Sequence, residues 1–358
     1  MTIGKTPLIP ENTVPDGVFH IAVFDGDTKI GTVDVDKMRM PSNIGEKLYS
    51  FGALSDVHVT NTGAMPKFKN ALSYLNDVEK VEFTCISGDL TSSGTAEQFT
   101  SYRNAVASYS PNVPVYNCTG NHDVQNTEVA PFTTLESTIP YTGQPLYYSF
   151  TQGDDVFIMF GMRGWSSYTG NIFYAEALQW LYETLEENRN KRCFIFEHCP
   201  HMVWANGVVS ECSSGAIPGL KLPTGNLLNG DDNIVGDVFR SLVKHYKNIL
   251  WFHGHTHMEF DYQTQWAAIN YDNVYARHSI HIPSSIGGRT LKSDGTGWQS
   301  NTIGSYGYVV DVYANHIVLR GRNFDDSAFE PLAMYCLDTA VIEMPEGTYT
   351  DSTGTIVT

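Results

Sequence analysis

Asn248-Ile249-Leu250-Trp251-Phe252-His253-Gly254-His255-Thr256-His257, or NILWFHGHTH, is an apolar run that closes with three histidines at alternate positions. A strand alternates its side chains between two faces, so this period-two spacing sets all three rings on one side. Three imidazoles on one side point to a metal, although one such cluster is equally a feature of hydrogen-bonded core histidines.

The same form recurs along the chain. LYSFGALSD (48–56), VEFTCISGD (81–89), VPVYNCTGNHD (113–123), VFIMFGM (156–162) and RCFIFEHCP (192–200) are further short apolar runs. Helical periodicity lies between them, at about 66–79, 95–109, 174–190 and 233–246. Strands alternating with helices define a layered α/β domain, and runs that are apolar throughout mean strands covered on both faces. After residue 278 the pattern becomes strand-rich (SIHIPSSI, YGYVVDVYANHIVLRGRNF), which extends the first sheet or builds a second.

Upstream, GVFHIAVFDGDTKIGTVDVD alternates apolar and polar residues on both sides of Asp25-Gly26-Asp27, the chemistry of a tight hairpin turn. Met38 to Glu46, with Pro41 and Gly45, then reads as a linker. The expected organisation is a small β-rich module and linker at 1–47, a main domain at 48–325, and an extension at 326–358 packed on it. A two-stranded hairpin is marginal alone, so it is expected to rest on the main domain, a protein partner or a second subunit. Residues 202–232, rich in Gly, Ser, Pro and Asn and placed just after His198, read as a lid.

The chain carries 22 Lys and Arg against 39 Asp and Glu, a net charge of −17. Bulk binding of a nucleic-acid polymer needs a basic face to neutralise phosphates, which this balance does not offer. A small anionic substrate held by metal ions is compatible with it. No apolar run reaches the roughly 18 residues of a membrane helix, so no membrane partner is expected. MTIGKTPLIPENTVPDG lacks the charged and apolar regions of a secretory leader, which makes cytoplasmic residence the expectation. The six cysteines, Cys85, Cys118, Cys193, Cys199, Cys212 and Cys336, show no CxxC spacing, and those inside apolar runs read as reduced buried thiols.

The residues that end each strand carry the chemistry. Asp56-Val57-His58 follows the first run and Gly88-Asp89 the second; Gly120-Asn121-His122-Asp123, His198-Cys199-Pro200 and Gly254-His255-Thr256-His257 close the third, fifth and sixth. Sites in α/β sheets form at the carboxyl ends of strands, so these five loops are expected in one crevice. Each loop alone has an ordinary explanation, such as an Asx turn at Asn121 and Asp123 or a core histidine at His198. Five together, in this order, do not.

The ordered set resembles the calcineurin-like metallophosphoesterase family, whose signature is DxH, GDxx(D/N), GNH(D/E), HxP and GHxH, over roughly residues 49–325. That resemblance implies a fold of two β-sheets sandwiched by helices and a site for two divalent metal ions. Asp56, His58 and His257 would hold one ion; Asn121, His198 and His255 would hold the other, with Asp89 bridging both. Carboxylate, amide and imidazole donors suit Mn, Fe or Zn, and no thiolate belongs to the set. It also implies hydrolysis of a phosphoester by a metal-bridging hydroxide in line with the leaving group.

A leaving alkoxide needs a proton, and His122 of the GNH motif is the candidate general acid, with Asp123 beside it as a candidate supporting group. Many relatives read GDxxD, the second Asp orienting that histidine, and the protein Ser/Thr phosphatases read GDxxDRG. This chain reads Gly88-Asp89-Leu90-Thr91-Ser92-Ser93-Gly94, which argues against a protein phosphatase and, with Ser92 where purple acid phosphatases place a Tyr, against a ferric tyrosinate centre. GDLTSSG and VPVYNCTGNHD look most like the cyclic-nucleotide phosphodiesterase-like branch, so a small phosphodiester is the expected substrate. A phosphomonoesterase or nucleotidase on the same site, and an inactive attachment or structural protein, are the alternatives. His253, His278 and His281 are expected in structural roles, Arg163 in a surface ion pair or at a phosphate, and His201 at substrate or as a loop cap.

Overall fold

The computed structural model describes residues 18–25, 28–36, 44–124, 145–166, 170–173, 175–199, 202–205, 208–211, 239, 242–243, 245–257, 259–260, 269–270, 278–291, 298–300, 304–325, 331–344, 349–350 and 356–357. The strands of its two main sheets are, in chain order, β1 (Lys47–Leu54), β2 (Phe83–Ser87), β3 (Val115–Cys118), β4 (Tyr147–Gln152), β5 (Asp155–Phe160), β6 (Cys193–Phe196), β7 (Ile249–His253), β8 (Ile269–Asn270), β9 (His278–His281), β10 (Tyr306–Tyr313), β11 (His316–Asn323) and β12 (Pro331–Asp338). One sheet has the order β12-β11-β10-β1-β2-β3 and the other β8-β9-β7-β6-β5-β4. In the first, β1, β2 and β3 are parallel, and β10 to β12 add an antiparallel meander. In the second, β5, β6, β7 and β9 are parallel, with antiparallel β4 and β8 at the edges.

Alternation along each strand feeds two apolar layers at once. In β5, Phe157 and Met159 face the other sheet, while Val156, Ile158 and Phe160 pack outward with Leu178, Leu181 and Leu185 of α3 (Ala175–Glu187). The outer face of the first sheet is covered by Phe68 and Leu72 of α1 (Ala64–Ser73) and by Phe99 and Tyr102 of α2 (Ala96–Tyr109). The result is four layers, helix, sheet, sheet, helix, as the resemblance implied. Phenylalanines dominate the seam: Phe51 stacks on Phe83 at 5.4 Å, Phe157 stacks on Phe194 at 4.6 Å, and Phe51 meets Phe157 edge-on at 5.2 Å. Each such pair adds about 0.5–1.5 kcal/mol beyond its buried area.

The strands stop earlier than the apolar runs suggest, so the motif residues lie in loops just past them. β4, in YYSFTQ, was not expected; it is a half-covered edge strand without a clean apolar run. The helical pattern at 66–79 begins as α1 but ends in a wider π-turn, Tyr74–Glu79, stopped by Lys80 in the left-handed region at φ 55°. Of the helical pattern at 233–246, residues 239, 242, 243, 245 and 246 are described; the first four are helical and 246 lies outside the helix. The expected hairpin forms, Val18–Asp25 pairing with Thr28–Asp36. Part of the expected C-terminal extension, Pro331–Asp338, is a strand of the first sheet. Within 202–232, residues 202–205 and 208–211 pair as a short ribbon, and the remainder of the expected lid lies outside the described residues. Cys85, Cys118, Cys193, Cys199 and Cys336 are buried free thiols, and Cys212 lies outside the described residues.

At the amino ends of the parallel strands a buried ion pair ties the sheets together. Arg192 donates from Nε and Nη2 to the two carboxylate oxygens of Asp155, at 2.9 and 2.5 Å. Its Nη1 donates to the Tyr313 carbonyl and the Thr339 hydroxyl, both at 2.8 Å, and the Tyr49 hydroxyl donates to Asp155. Every polar atom of this cluster has a partner that belongs to a different segment, so the cluster is specific as well as attractive. Removing one partner of a buried pair strands the other charge, at a cost of about 3–5 kcal/mol. Arg192→Met is therefore expected to lower stability by about that amount in denaturant titration, and Tyr49→Phe by about 1 kcal/mol.

Candidate metal centre

Hydrogen bonds stitch the carboxyl ends of the two sheets into one surface. Gly254 N–H donates to the His198 carbonyl at 2.9 Å, Ser87 Oγ to the Glu197 carbonyl at 3.0 Å, and Ser285 N–H to the Ser55 carbonyl at 3.0 Å. Asp56 N–H and His58 N–H donate to the Gly88 and Asp89 carbonyls at 3.2 and 3.0 Å. The five motif loops thus meet in one place. Their backbone is unusual: six described non-glycine residues have positive φ, and five of them are Asp56, His58, Asp89, His255 and His257, at 52°, 38°, 50°, 69° and 58°. Left-handed backbone in non-glycine residues costs roughly 1–3 kcal/mol each and clusters at functional sites. Glycine supplies the space. A Cβ on Gly88, itself at φ 75°, would stand 2.7 Å from the His198 ring, and one on Gly254 would collide with Ser55 and Asp56.

The side chains converge in two groups. Asp56, His58, Asp89 and His257 each offer a ligand atom, and these atoms all lie within 4.8 Å of one another. Asp56 Oδ1 stands 2.9 Å from His257 Nε2 and 3.9 Å from both His58 Nε2 and His198 Nε2. In the second group, Asn121 Oδ1 is 3.2 Å from His198 Nε2 and 2.9 Å from His255 Nδ1. Asp89 stands between the groups, its Oδ2 3.5 Å from His58 Nε2 and 3.2 Å from His198 Nε2. Its other oxygen, Oδ1, accepts the His122 N–H at 2.8 Å. A single oxygen of Asp89 therefore faces both groups.

Electrostatics favour a bound cation here. Asp56 is fully buried, and its Oδ1 has no aligned hydrogen bond although three imidazole nitrogens surround it. Burial opposes ionisation of Asp56 and Asp89, yet the neighbouring histidines hold Asp56 well below the usual carboxylate range and Asp89 at about 2. Burial pushes His58 down to about 4 and His255 to about 3, which keeps their nitrogen lone pairs free at neutral pH. His198 differs: burial works against its charge, but Asp89 and Asp56 raise it to about 10. Two ionised buried carboxylates thus recruit a proton where no stronger cation is at hand. A divalent ion satisfies the same demand with the imidazoles neutral, as ligation requires. His198 Nδ1 donates to the Ser87 carbonyl at 2.7 Å, which fixes the tautomer that aims Nε2 at the site.

All seven residues expected as ligands are among those brought together. His122 is also here, its ring edge-on to His58 with centroids 4.7 Å apart. Asp123 makes no hydrogen bond to that ring: its carboxylate accepts Leu90 N–H, Thr91 N–H, Thr91 Oγ1 and Gly120 N–H, at 2.7–3.0 Å. His122 Nδ1 instead lies 2.9 Å from the Ser92 carbonyl oxygen. Cys199, left out of the expected donor set, offers a sulfur within 4.8 Å of ligand atoms of His198 and His255. Its sequence signal is adjacency to His198, too weak to separate it from core cysteines. His253 Nε2 pairs with Ser279 Oγ at 3.0 Å, His281 Nε2 with Thr256 Oγ1 at 2.7 Å, and His278 Nε2 donates to the Asp338 carbonyl at 2.7 Å. These are the structural roles expected of them. Arg163 is exposed, while His201 and Pro200 lie outside the described residues.

Two face-to-face mixed sheets flanked by helices, with histidines and carboxylates gathered at the carboxyl ends of their strands, define a metallophosphoesterase fold. The family model described as calcineurin-like phosphoesterase matches residues 49–259, and the chain belongs to that family. Among solved structures it is similar to one described as PhoD, with a TM-score of 0.53 and 12% identity over 91% of this chain and 75% of that one. It is also similar to GAP50, described as the anchor in the inner membrane complex of Plasmodium, with a TM-score of 0.51 and 14% identity over 83% of this chain and 90% of that one. At these identities the likeness is one of fold. No curated protein matches the chain.

The position of Asp89 makes a stoichiometric test possible. Asp89→Asn is expected to weaken divalent-metal binding at both ligand groups together, whereas His257→Ala weakens it at the group of Asp56, His58 and Asp89 alone. Elemental analysis of the purified proteins reads both outcomes.

Proposed function

We propose that this chain is a binuclear metal-dependent phosphoesterase whose substrate is a small phosphodiester. The observation that carries the proposal is that Asp89 Oδ2 faces His58 and His198 at once, as a ligand shared between two ions would. Asp56, His58 and His257 would hold one divalent ion, and Asn121, His198 and His255 the other. The mixed donor set suits Mn, Fe or Zn. When bound, such a pair supplies Lewis-acid activation of water near neutral pH and neutralises phosphoryl charge.

The protein's own residues do the rest. His122 is part-exposed beside the ligand groups, its main chain pinned by Asp89 and its Nδ1 engaged by the Ser92 carbonyl. Its Nε2 is the nitrogen left to give a proton to a departing alkoxide, from the ring protonated on both nitrogens. Preference for a diester rests on the GDLTSSG and VPVYNCTGNHD resemblance and on charge. A diester presents one negative charge, a monoester closer to two near neutral pH, and a chain of net charge −17 repels the second more.

GAP50 carries the same fold as an anchor, so fold alone does not establish turnover. Purified protein loaded with Mn is expected to hydrolyse bis(p-nitrophenyl) phosphate faster than p-nitrophenyl phosphate. Two bound metals with neither ester turned over would make the attachment reading the correct one. His122→Ala is expected to keep both metals and to lose about 10²–10⁴ in kcat/KM on diesters with alkoxide leaving groups, with little change for p-nitrophenolate, which leaves unaided.

A further inference from the structure

We propose that the main-chain carbonyl of Ser92 positions His122, and that Thr91 and Asp123 are positioning residues that act through it. The proposal rests on the phosphoesterase reading and adds to it the device that orients the proton donor. A carbonyl oxygen can only accept, so its 2.9 Å approach to His122 Nδ1 requires the proton on that nitrogen. Nε2 is then the nitrogen left for the reaction, and to act as the acid it must carry a second proton, so the donor is the ring protonated on both nitrogens.

A loop carbonyl can do this only if the loop is held, and residues 90–94 are held on both sides of it. Before Ser92, Leu90 N–H and Thr91 N–H donate to the Asp123 carboxylate at 3.0 and 2.8 Å, and Thr91 Oγ1 donates to the same carboxylate at 2.7 Å. After Ser92, Gly94 N–H returns to Thr91 Oγ1 at 3.0 Å and Ser93 N–H donates to Gln98 Oε1 at 2.7 Å. The Ser92 hydroxyl accepts from Thr60 Oγ1 at 2.9 Å and donates to the His58 carbonyl at 3.3 Å, so it does not reach for His122. Gly94, at φ 67°, lets the loop lie against the 122–123 backbone: a Cβ there would stand 2.5 Å from the Asp123 carbonyl oxygen. Asp123 is almost fully buried and also accepts Gly120 N–H at 2.9 Å, so one carboxylate fastens the Ser92 loop to the loop that carries His122. The serine that stands where many relatives have an orienting aspartate therefore supplies its peptide group instead of its side chain.

The test reads His122 directly and needs no turnover. In zinc-loaded protein labelled with ¹⁵N-histidine, long-range correlation spectra are expected to show His122 protonated on Nδ1, with a slowly exchanging proton. Thr91→Val, which removes both Thr91 hydroxyl bonds at constant volume, is expected to broaden or abolish that proton signal; Thr91→Ser restores it. Ser92→Ala keeps the signal, because the carbonyl remains. In activity, Thr91→Val is expected to lose at least about tenfold in kcat/KM on alkoxide diesters relative to bis(p-nitrophenyl) phosphate, part of the 10²–10⁴ that a placed general acid contributes. Metal content stays at the unmodified value.

A His122 protonated on Nε2 but not on Nδ1 in the unmodified protein overturns the proposal even where a variant does not fold. So does loss of the signal in Ser92→Ala, or its persistence in Thr91→Val. If His122→Ala itself shows no leaving-group dependence, the general-acid reading fails instead, and the two failures are told apart.

Discussion

Two ionised carboxylates, Asp56 and Asp89, sit buried at the carboxyl ends of β1 and β2, and the basic groups that face them within 4 Å among the described residues are imidazoles. Burying a charge costs several kcal/mol unless it is compensated, so the surrounding loops must answer that demand. They do so by dividing each carboxylate. Asp56 Oδ2 takes His255 N–H at 3.0 Å and Asp89 Oδ1 takes His122 N–H at 2.8 Å, which fixes the outer oxygens to the main chain. Asp56 Oδ1 and Asp89 Oδ2 are left pointing inward at Nε2 atoms. The inner pair defines where positive charge belongs. The outer pair keeps that place from relaxing away.

Holding such loops demands a rigid frame, because five ligand-position residues occupy left-handed backbone that an unconstrained chain would leave. The frame comes from opposite ends of the same strands. At one end the phenylalanine seam and the Asp155–Arg192 latch clamp the sheets together; at the other, the strands deliver their terminal residues into loops already cross-linked by backbone hydrogen bonds. Glycines at 88 and 254 remove the side chains that would push the sheets' loops apart. Strain at the centre is thus borne by packing some distance away from it.

Much of this architecture is legible in the sequence, for a physical reason. Buried parallel strands write themselves as continuous apolar runs, and chemistry in such sheets must sit where the runs end, so DVH, GD, GNHD, HCP and GHTH mark the site before any geometry is known. His253 shows the limit of periodicity. It shares the alternation of His255 and His257, yet β7 ends at His253, and the chain turns before the other two, so they part company with it. β4 was hidden because an edge strand open on one side carries mixed residues. Asp123 was legible as a polar residue in the right loop, but its direction was not, because the four donors it accepts come from backbone and a hydroxyl that no residue-type pattern announces.

The same blindness applies to Ser92, and it bears on how charge is distributed in this site. A pattern of residue types records side chains, whereas a carbonyl is present at every position and acquires a role only through placement. An aspartate at Ser92 would bring a further carboxylate close to Asp89 and Asp123, in a site where Asp123 is already pushed up to about 6 by burial and by Asp89. A peptide carbonyl accepts the same proton with a dipole and no net charge, so it adds no repulsion to two carboxylates that must stay ionised. What it gives up is mobility of choice: a side chain can swing to meet a histidine, but a carbonyl must be carried there by its loop. The four donors on Asp123 are the means of carrying it.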